Sequence, residues 1–229
     1  MKNKSAVILL SGGIDSATAA AVALKDGYGL RAMTFRYGQR HDVEIEFACR
    51  ISDAFRIADH VIVDIPSSLF TSALMKNSPV AVPRDQDPLE GSRIPDTYVP
   101  ARNILFLAYA LAYAESNGSG AVFIGANAVD FSGYPDCRPE FFSAFQAVAD
   151  RGTRSGVTGA GIRIMTPVID LTKAQIISLG VSLGVDYSLT HSCYDPSPDG
   201  ASCGRCDSCI LRKKGFADAG ISDPTRYGG

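Results

Sequence analysis

The sequence predicts an α/β domain built on a doubly wound parallel sheet, and three observations lead to that class. Short apolar runs recur along the 229 residues, several of them stopped at once by glycine or proline, as strands buried on both faces require. Stretches of helical periodicity fill the intervals between these runs. The composition, 46% hydrophobic and 20% charged, is that of an ordinary globular chain with a sizeable core.

The elements follow in order. Ala6 to Leu10 reads as a buried parallel strand, closed by Gly12-Gly13. The alanine-rich stretch Ser16 to Lys25 is a helix that Gly27 stops. Leu30 to Phe35 is a second strand, Asp42 to Ile57 a helix with apolar residues at helical spacing, and His60 to Ile65 a third strand. The segment from Pro66 to Pro100 begins with an expected short helix over residues 68–76 and continues as a long loop. Residues 101–116 form a helix ended by Gly118, and Ala121 to Gly125 a strand. Glu140 to Arg151 is a helix, Ile162 to Met165 a strand, and Thr172 to Leu179 a helix with Thr172 as N-cap. From Thr190 onward Cys, Gly, Pro, Asp and Ser dominate. The expected division is therefore 1–189 as the α/β domain and 190–229 as a metal-stapled tail.

Lys and Arg number 22 against 24 Asp and Glu. A polynucleotide-binding surface needs a basic stripe to displace counterions, and Arg212-Lys213-Lys214 is too short to supply one. A small-molecule substrate and no nucleic-acid partner are expected. The apolar run Ala6 to Leu10 is too short for a signal segment, and no run reaches transmembrane length, so a cytoplasmic protein without membrane contact is expected. Thiols stay reduced there, and six cysteines then argue for metal binding or chemistry rather than disulfides. A homodimer is expected, although no residue pattern derives it.

Ser11-Gly12-Gly13-Ile14-Asp15-Ser16 lies between the first strand and the first helix. Its glycines let backbone N–H groups approach an anion, and the helix start adds free donors and a positive dipole end. Ser11 and Ser16 contribute hydroxyl groups. The loop has neither the Gly-Lys-Ser/Thr ending of a Walker A motif nor dinucleotide glycine spacing. Cys193, Cys203, Cys206 and Cys209 follow C-x9-C-x2-C-x2-C, a set able to close a tetrahedral site with metal–sulfur distances of about 2.3 Å. Zinc in a structural role is expected, one ion per chain, with an iron–sulfur cluster as the alternative. Cys49 reads as core and Cys137 as structural.

Four further polar segments stand where a doubly wound sheet places ligand contacts. They are Phe35 to His41 with Glu44, Tyr98 to Asn103, Gly125 to Phe141, and Pro167 to Lys173. SGGIDS, YGQRHDVE, YVPARN, GANAVDFSGYPDCRPEF, TPVIDLTK and the SCY…CGRCDSC tail occur in that order over nearly the whole chain. Together they resemble the 7-cyano-7-deazaguanine synthase family of the PP-loop ATP pyrophosphatases, whose fold is adenine nucleotide alpha hydrolase-like. The resemblance implies an ATP-dependent ligase that turns 7-carboxy-7-deazaguanine and ammonia into the nitrile through adenylated intermediates, with Mg²⁺ screening the phosphates.

On this reading Ser11, Gly12, Gly13, Asp15 and Ser16 hold pyrophosphate, with Asp15 near the metal ion. Arg102 and Lys173 neutralise phosphate charge; the alternative for Arg102 is a solvated surface side chain. Asp130 binds metal or helps deprotonate ammonium. Asp136 or Glu140 accepts from the base edge, and Tyr134 or Phe141 stacks on the ring; the alternatives are a rigid Tyr134-Pro135 turn and a core Phe141. Two rivals remain: another PP-loop enzyme, such as a tRNA thiolase or amide synthase, and a non-enzymatic binding module whose cysteine tail is a zinc finger. A glutamine-hydrolysing domain finds no room in the chain, so ammonia is expected free or from a partner.

Overall fold

The computed structural model describes residues 4–40, 42–85, 94–129 and 133–228. Five parallel strands form one sheet: β1 (Lys4–Leu9), β2 (Tyr28–Arg36), β3 (His60–Asp64), β4 (Ala121–Ile124) and β5 (Arg163–Met165), in the order β3-β2-β1-β4-β5. The chain steps outward from β1 to β3, then returns to the other side of β1 with β4. The strand order therefore reverses between β1 and β4, where Leu9 pairs with Ile124, and a crevice opens beyond their carboxyl ends.

Alternation along β1 assigns its residues to two cores. Val7 and Leu9 face one layer, with α3 (Arg102–Asn117) and α4 (Pro139–Gly152). Ala6 and Ile8 face the other, with α1 (Ile14–Lys25), α2 (Val43–Ala54) and α6 (Lys173–Ser182). Ile8 and Phe123 are fully enclosed. Burying each such side chain contributes about 1.5–3 kcal/mol. A four-residue helix, α5 (Arg154–Val157), follows α4 and was not expected from the sequence.

Helix boundaries follow local chemistry. The first helix begins at Ile14, two residues before the expected Ser16, so Asp15 occupies its first turn, where a carboxylate suits the dipole. The last helix of the expected series begins with a capping box: Thr172 accepts from the Gln175 N–H while the Gln175 side chain accepts from the Thr172 N–H.

One expectation is corrected. The helix foreseen over 68–76 shrinks to a 3-10 turn at Ser67–Leu69. The rest pairs instead with the segment after β2: Lys76 N–H donates to Gly38 O and Arg40 N–H to Leu74 O, and this pairing overrides helical spacing. The tail has regular structure of its own. It carries a 12-residue helix, α7 (Asp207–Asp218), which packs on α6. Cys193, Cys206 and Cys209 are buried in the same core as Val7 and Leu107, so the main domain supplies the apolar cover that the tail lacks. Among the described residues, no helix is long and apolar enough to cross a membrane.

Candidate active site and metal centre

The crevice at the strand switch holds a cavity of about 230 Å³, bordered by Ser11, Gly13, Asp15 and Ser16 of the expected phosphate loop. The loop is tied to itself: Ser11 Oγ lies 3.1 Å from Ser16 Oγ, and Gly13 N–H points at Ser11 Oγ at 3.4 Å. Gly12 has φ +81°, and a Cβ there would stand 2.4 Å from the Glu44 carbonyl oxygen. Only glycine fits that conformation and that gap. Gly125, at the end of β4, likewise brings its backbone against the first turn of α1, where a Cβ would stand 2.5 Å from Ser16 N.

Lys173 and Arg102 are among the cations that border this cavity. Lys173, in the first turn of α6, places Nζ 2.6 and 2.8 Å from the two Asp15 carboxylate oxygens. Gly215 of α7 leaves room for its stem: a Cβ there would lie 2.4 Å from Lys173 Cγ. Arg102, half-buried at the start of α3, donates to the Tyr37 hydroxyl at 3.2 Å and lies over the Tyr37 and Phe106 rings. Among the described residues no carboxylate oxygen lies within 4 Å of its guanidinium nitrogens. Burial opposes its charge, but neighbouring Tyr37, Tyr134, Cys137 and Asp136 hold its pKa above the ordinary value. The residue that delivers it, Ala101, adopts left-handed φ +56°, with its N–H donated to the Tyr98 hydroxyl at 3.0 Å. A non-glycine residue in that region stores strain beside the cavity. Burial raises the Tyr37 pKa to about 12, so this partner stays a neutral phenol.

The expected base-reading residues separate. Tyr134 borders the cavity, its hydroxyl 2.7 Å from Thr97 Oγ1. Asp136 is buried away from the cavity lining, and its Oδ2 accepts the Asn103 N–H at 3.0 Å. Its carboxylate thus caps α3, the helix that presents Arg102, which is a natural place for negative charge. Glu140 lies exposed on the first turn of α4, and Phe141 packs against Phe142 and Phe145 on the α3–α4 side, so neither borders the cavity. Asp130 and His41 lie outside the described residues. Of the segment Phe35 to His41, Tyr37 borders the cavity, Gln39 is fully buried and bonded to Glu44, and Arg36 pairs with Asp64 on the surface. Cys137 also borders the cavity and accepts from Asn103 Nδ2. Burial, reinforced by Asp136, pushes its thiol up to about 12, which keeps it protonated and a poor nucleophile.

Sequence reasoning missed the tail's share of the cavity. Ser192, Tyr194, Ser208, Leu211 and Arg212 all border it. The SCY motif, and the i, i+4 spacing of Ser208 and Arg212 on α7, were the available signals.

The four tail cysteines meet: their sulfurs lie within 4.8 Å of one another, and Cys203 and Cys209 are 4.0 Å apart. Tetrahedral zinc–sulfur geometry asks for sulfur separations of about 3.8 Å. Backbone N–H groups of Tyr194, Asp195, Cys203, Arg205 and Cys206 donate to these sulfurs, as thiolate ligands favour. The cluster can hold a metal ion.

Comparison with known proteins follows the same lines. The family described as "Queuosine biosynthesis protein QueC" matches residues 5–220. A protein of Paramagnetospirillum magneticum named 7-cyano-7-deazaguanine synthase is 54% identical over 225 residues, 98% of this chain and 99% of the relative. One of the same name from Desulfatibacillum aliphaticivorans is 53% identical over 229 residues, 99% of this chain and 98% of the relative. Among solved structures, a 4-thiouridine synthetase–RNA complex with bound ATP aligns with TM-score 0.52 at 20% identity, over 93% of this chain and 53% of that one, a likeness of fold. The motifs, the cysteine centre and these full-length matches agree, and the chain belongs to the QueC family of queuosine biosynthesis proteins.

Proposed function

We propose that the chain is an ATP-dependent carbon–nitrogen ligase that converts 7-carboxy-7-deazaguanine and ammonia to 7-cyano-7-deazaguanine. The observation that carries this reading is the pairing of a glycine-bearing anion loop with Arg102, a guanidinium in the same cavity that lacks a carboxylate within 4 Å among the described residues. Such a cation calls for an anionic ligand. The relatives' name supplies the base.

A carboxylate resists ammonia because its leaving group would be oxide. In the first half, a carboxylate oxygen attacks the α-phosphorus of ATP, the bond between the α-phosphorus and the bridging oxygen breaks, and pyrophosphate leaves on the Ser11–Ser16 loop. Ammonia nitrogen then attacks the acyl carbon, AMP departs and a proton is lost, leaving the amide. In the second half, the amide oxygen attacks the α-phosphorus of a second ATP and releases pyrophosphate. Loss of two N–H protons and of AMP leaves the carbon–nitrogen triple bond. Both halves use one geometry: pyrophosphate on the loop, Lys173 and Arg102 opposite the charge that accumulates at phosphorus. Mg²⁺, when bound, would screen the phosphates, and Asp15, the carboxylate of the loop, would be the residue to hold it. Asp130 is proposed to bind metal or to help take the proton from ammonium. Tyr134 is the base-facing aromatic. Asp136 acts through α3, and Glu140 and Phe141 have no part in the pocket.

Zinc is the proposed occupant of the cysteine centre, in a structural role: four sulfurs close the coordination shell and leave no position for water. The near-balanced charge supports an enzyme of small molecules rather than nucleic acid, and a cytoplasmic location is proposed with it. A homodimer fits the exposed apolar groove between α3 and α4, lined by Ile104, Leu111, Phe141 and Val148. The test is a reaction of purified protein with ATP, Mg²⁺, ammonium and 7-carboxy-7-deazaguanine, followed by mass spectrometry. Nitrile with AMP and pyrophosphate is expected. AMP without nitrile would overturn the substrate, and intact ATP would overturn the ligase reading.

A further inference from the structure

Arg212 on α7 is 2% exposed, and its guanidinium hydrogen bonds reach three separate stretches of chain, at Tyr187, at Thr190 and Ser192, and at Asp223. Nε donates to both Asp223 oxygens at 3.0 and 3.2 Å. Nη1 donates to Thr190 Oγ1 at 2.8 Å and Ser192 Oγ at 3.3 Å, and Nη2 to the Tyr187 carbonyl at 3.2 Å. The rigid fork therefore holds the hydroxyl side chains on both sides of His191, Thr190 and Ser192, and the Tyr187 carbonyl before them. His191 N–H in turn donates to the Gly12 carbonyl at 2.9 Å, inside the phosphate loop.

That last bond fixes more than one atom. The Gly12–Gly13 peptide is planar and trans, so its C=O and N–H point in opposite directions. With the Gly12 carbonyl held toward His191, the Gly13 N–H must face away, toward Ser11 Oγ and the cavity. Gly12, without a Cβ and at φ +81°, has the conformational freedom to flip this peptide, so the bond to His191 is what selects its orientation. We infer that Arg212 is a positioning residue for nucleotide binding: through Thr190, Ser192 and His191 it presets the Gly13 N–H as a donor to the pyrophosphate part of ATP. This inference rests on the phosphate-binding role proposed above. It assigns the tail a part in the ATP site beyond holding a metal ion.

The experiment measures binding of ATP and of pyrophosphate by calorimetry to wild type, Arg212→Lys, Arg212→Met and Thr190→Val, with amide hydrogen exchange at residues 11–16 and 187–192. Lysine keeps the charge beside the cavity but loses the fork. Both affinities are expected to fall about ten- to a hundredfold in Arg212→Lys, the scale of a lost charge-assisted hydrogen bond. Thr190→Val, isosteric and far less disruptive, should shift them the same way by less. His191 amide protection should drop while β1 stays protected and affinity for 7-carboxy-7-deazaguanine is unchanged. Arg212→Lys binding ATP like wild type would overturn the inference, as would equal losses for ATP and the base with general loss of protection. Wild type that binds neither ATP nor pyrophosphate would instead sink the phosphate-loop reading itself.

Discussion

Lys173 and Asp15 lie 158 residues apart in sequence, yet Lys173 Nζ stands 2.6 and 2.8 Å from the two oxygens of the Asp15 carboxylate. The pair joins the first turns of α6 and α1 at the edge of the cavity, with the two side chains only 10% and 19% exposed. Removing one partner from such a site leaves the other charge without compensation. Lys173→Met is expected to lower kcat about 10²–10³-fold, the scale of losing one preorganised electrostatic group. Asp15→Asn should be the milder change if Lys173 is the group that meets phosphate. Steady-state kinetics of both variants decides this: Asp15→Asn crippled with Lys173→Met near wild type would reverse the assignment.

The cysteine centre makes a second, separable prediction. Metal analysis of purified protein should find one zinc per chain, and Cys206→Ser should lose it. Because Cys193, Cys206 and Cys209 lie in the same core as Val7 and Leu107, the loss should destabilise the whole domain rather than free a tail. One melting transition at lower temperature is expected for Cys206→Ser. Two transitions, one unchanged, would show that the tail folds independently.

How much of this was legible in the sequence depends on the range of the contacts. The glycine loop and the cysteine quartet are local motifs, and the anion-binding and metal-binding roles proposed for them rest on spacing within one stretch of chain. The placement of Asp136 does not: its carboxylate accepts from the N–H of Asn103, 33 residues earlier in the first turn of α3, a contact that no local pattern announces. Residues 68–76 had helical spacing, but pairing with Gly38 and Arg40 carried the segment elsewhere. Arg212 read as part of a short basic run, and only the fold shows it buried among Thr190, Ser192 and Asp223.

The pH dependence of stability should carry the signature of His60. Thr34 Oγ1 donates to the Leu10 carbonyl at 2.6 Å, so it accepts from His60 Nε2 at 2.8 Å. Burial, only partly offset by Asp53, holds the imidazole below its ordinary pKa of 6.5. The unfolded chain then binds more protons than the folded one between the folded value and 6.5, so stability rises with pH across that window. It is fully present above 6.5 and is lost as pH falls through the window. Urea unfolding at pH 5.5 and 7.5, both chosen to bracket an unperturbed imidazole at roughly 6.5, should show the difference. His60→Gln should shrink it; an undiminished difference would place the titration on another group.

Two glycines separate close approach from backbone strain. A Cβ on Gly125 would stand 2.5 Å from both Asp15 C and Ser16 N, backbone atoms of the first turn of α1. Those atoms cannot rotate away as a side chain could, and α1 is itself enclosed, with Ala17, Ala19 and Ala20 fully buried. Gly125→Ala must therefore push the Ser11–Ser16 loop and the helix start together. Gly27 offers the contrast: φ is +82°, but nothing lies within 4 Å of the added carbon. Gly27→Ala should cost only about 1 kcal/mol of stability, the price of an alanine in left-handed backbone, with ATP affinity unchanged. Gly125→Ala should weaken ATP binding about tenfold or more, because a displacement near 1 Å at a positioning site is enough for that. Calorimetric titration of both variants, with thermal melts alongside, distinguishes the two effects. If Gly125→Ala loses stability but binds ATP normally, the loop has room to give and the close approach serves packing alone.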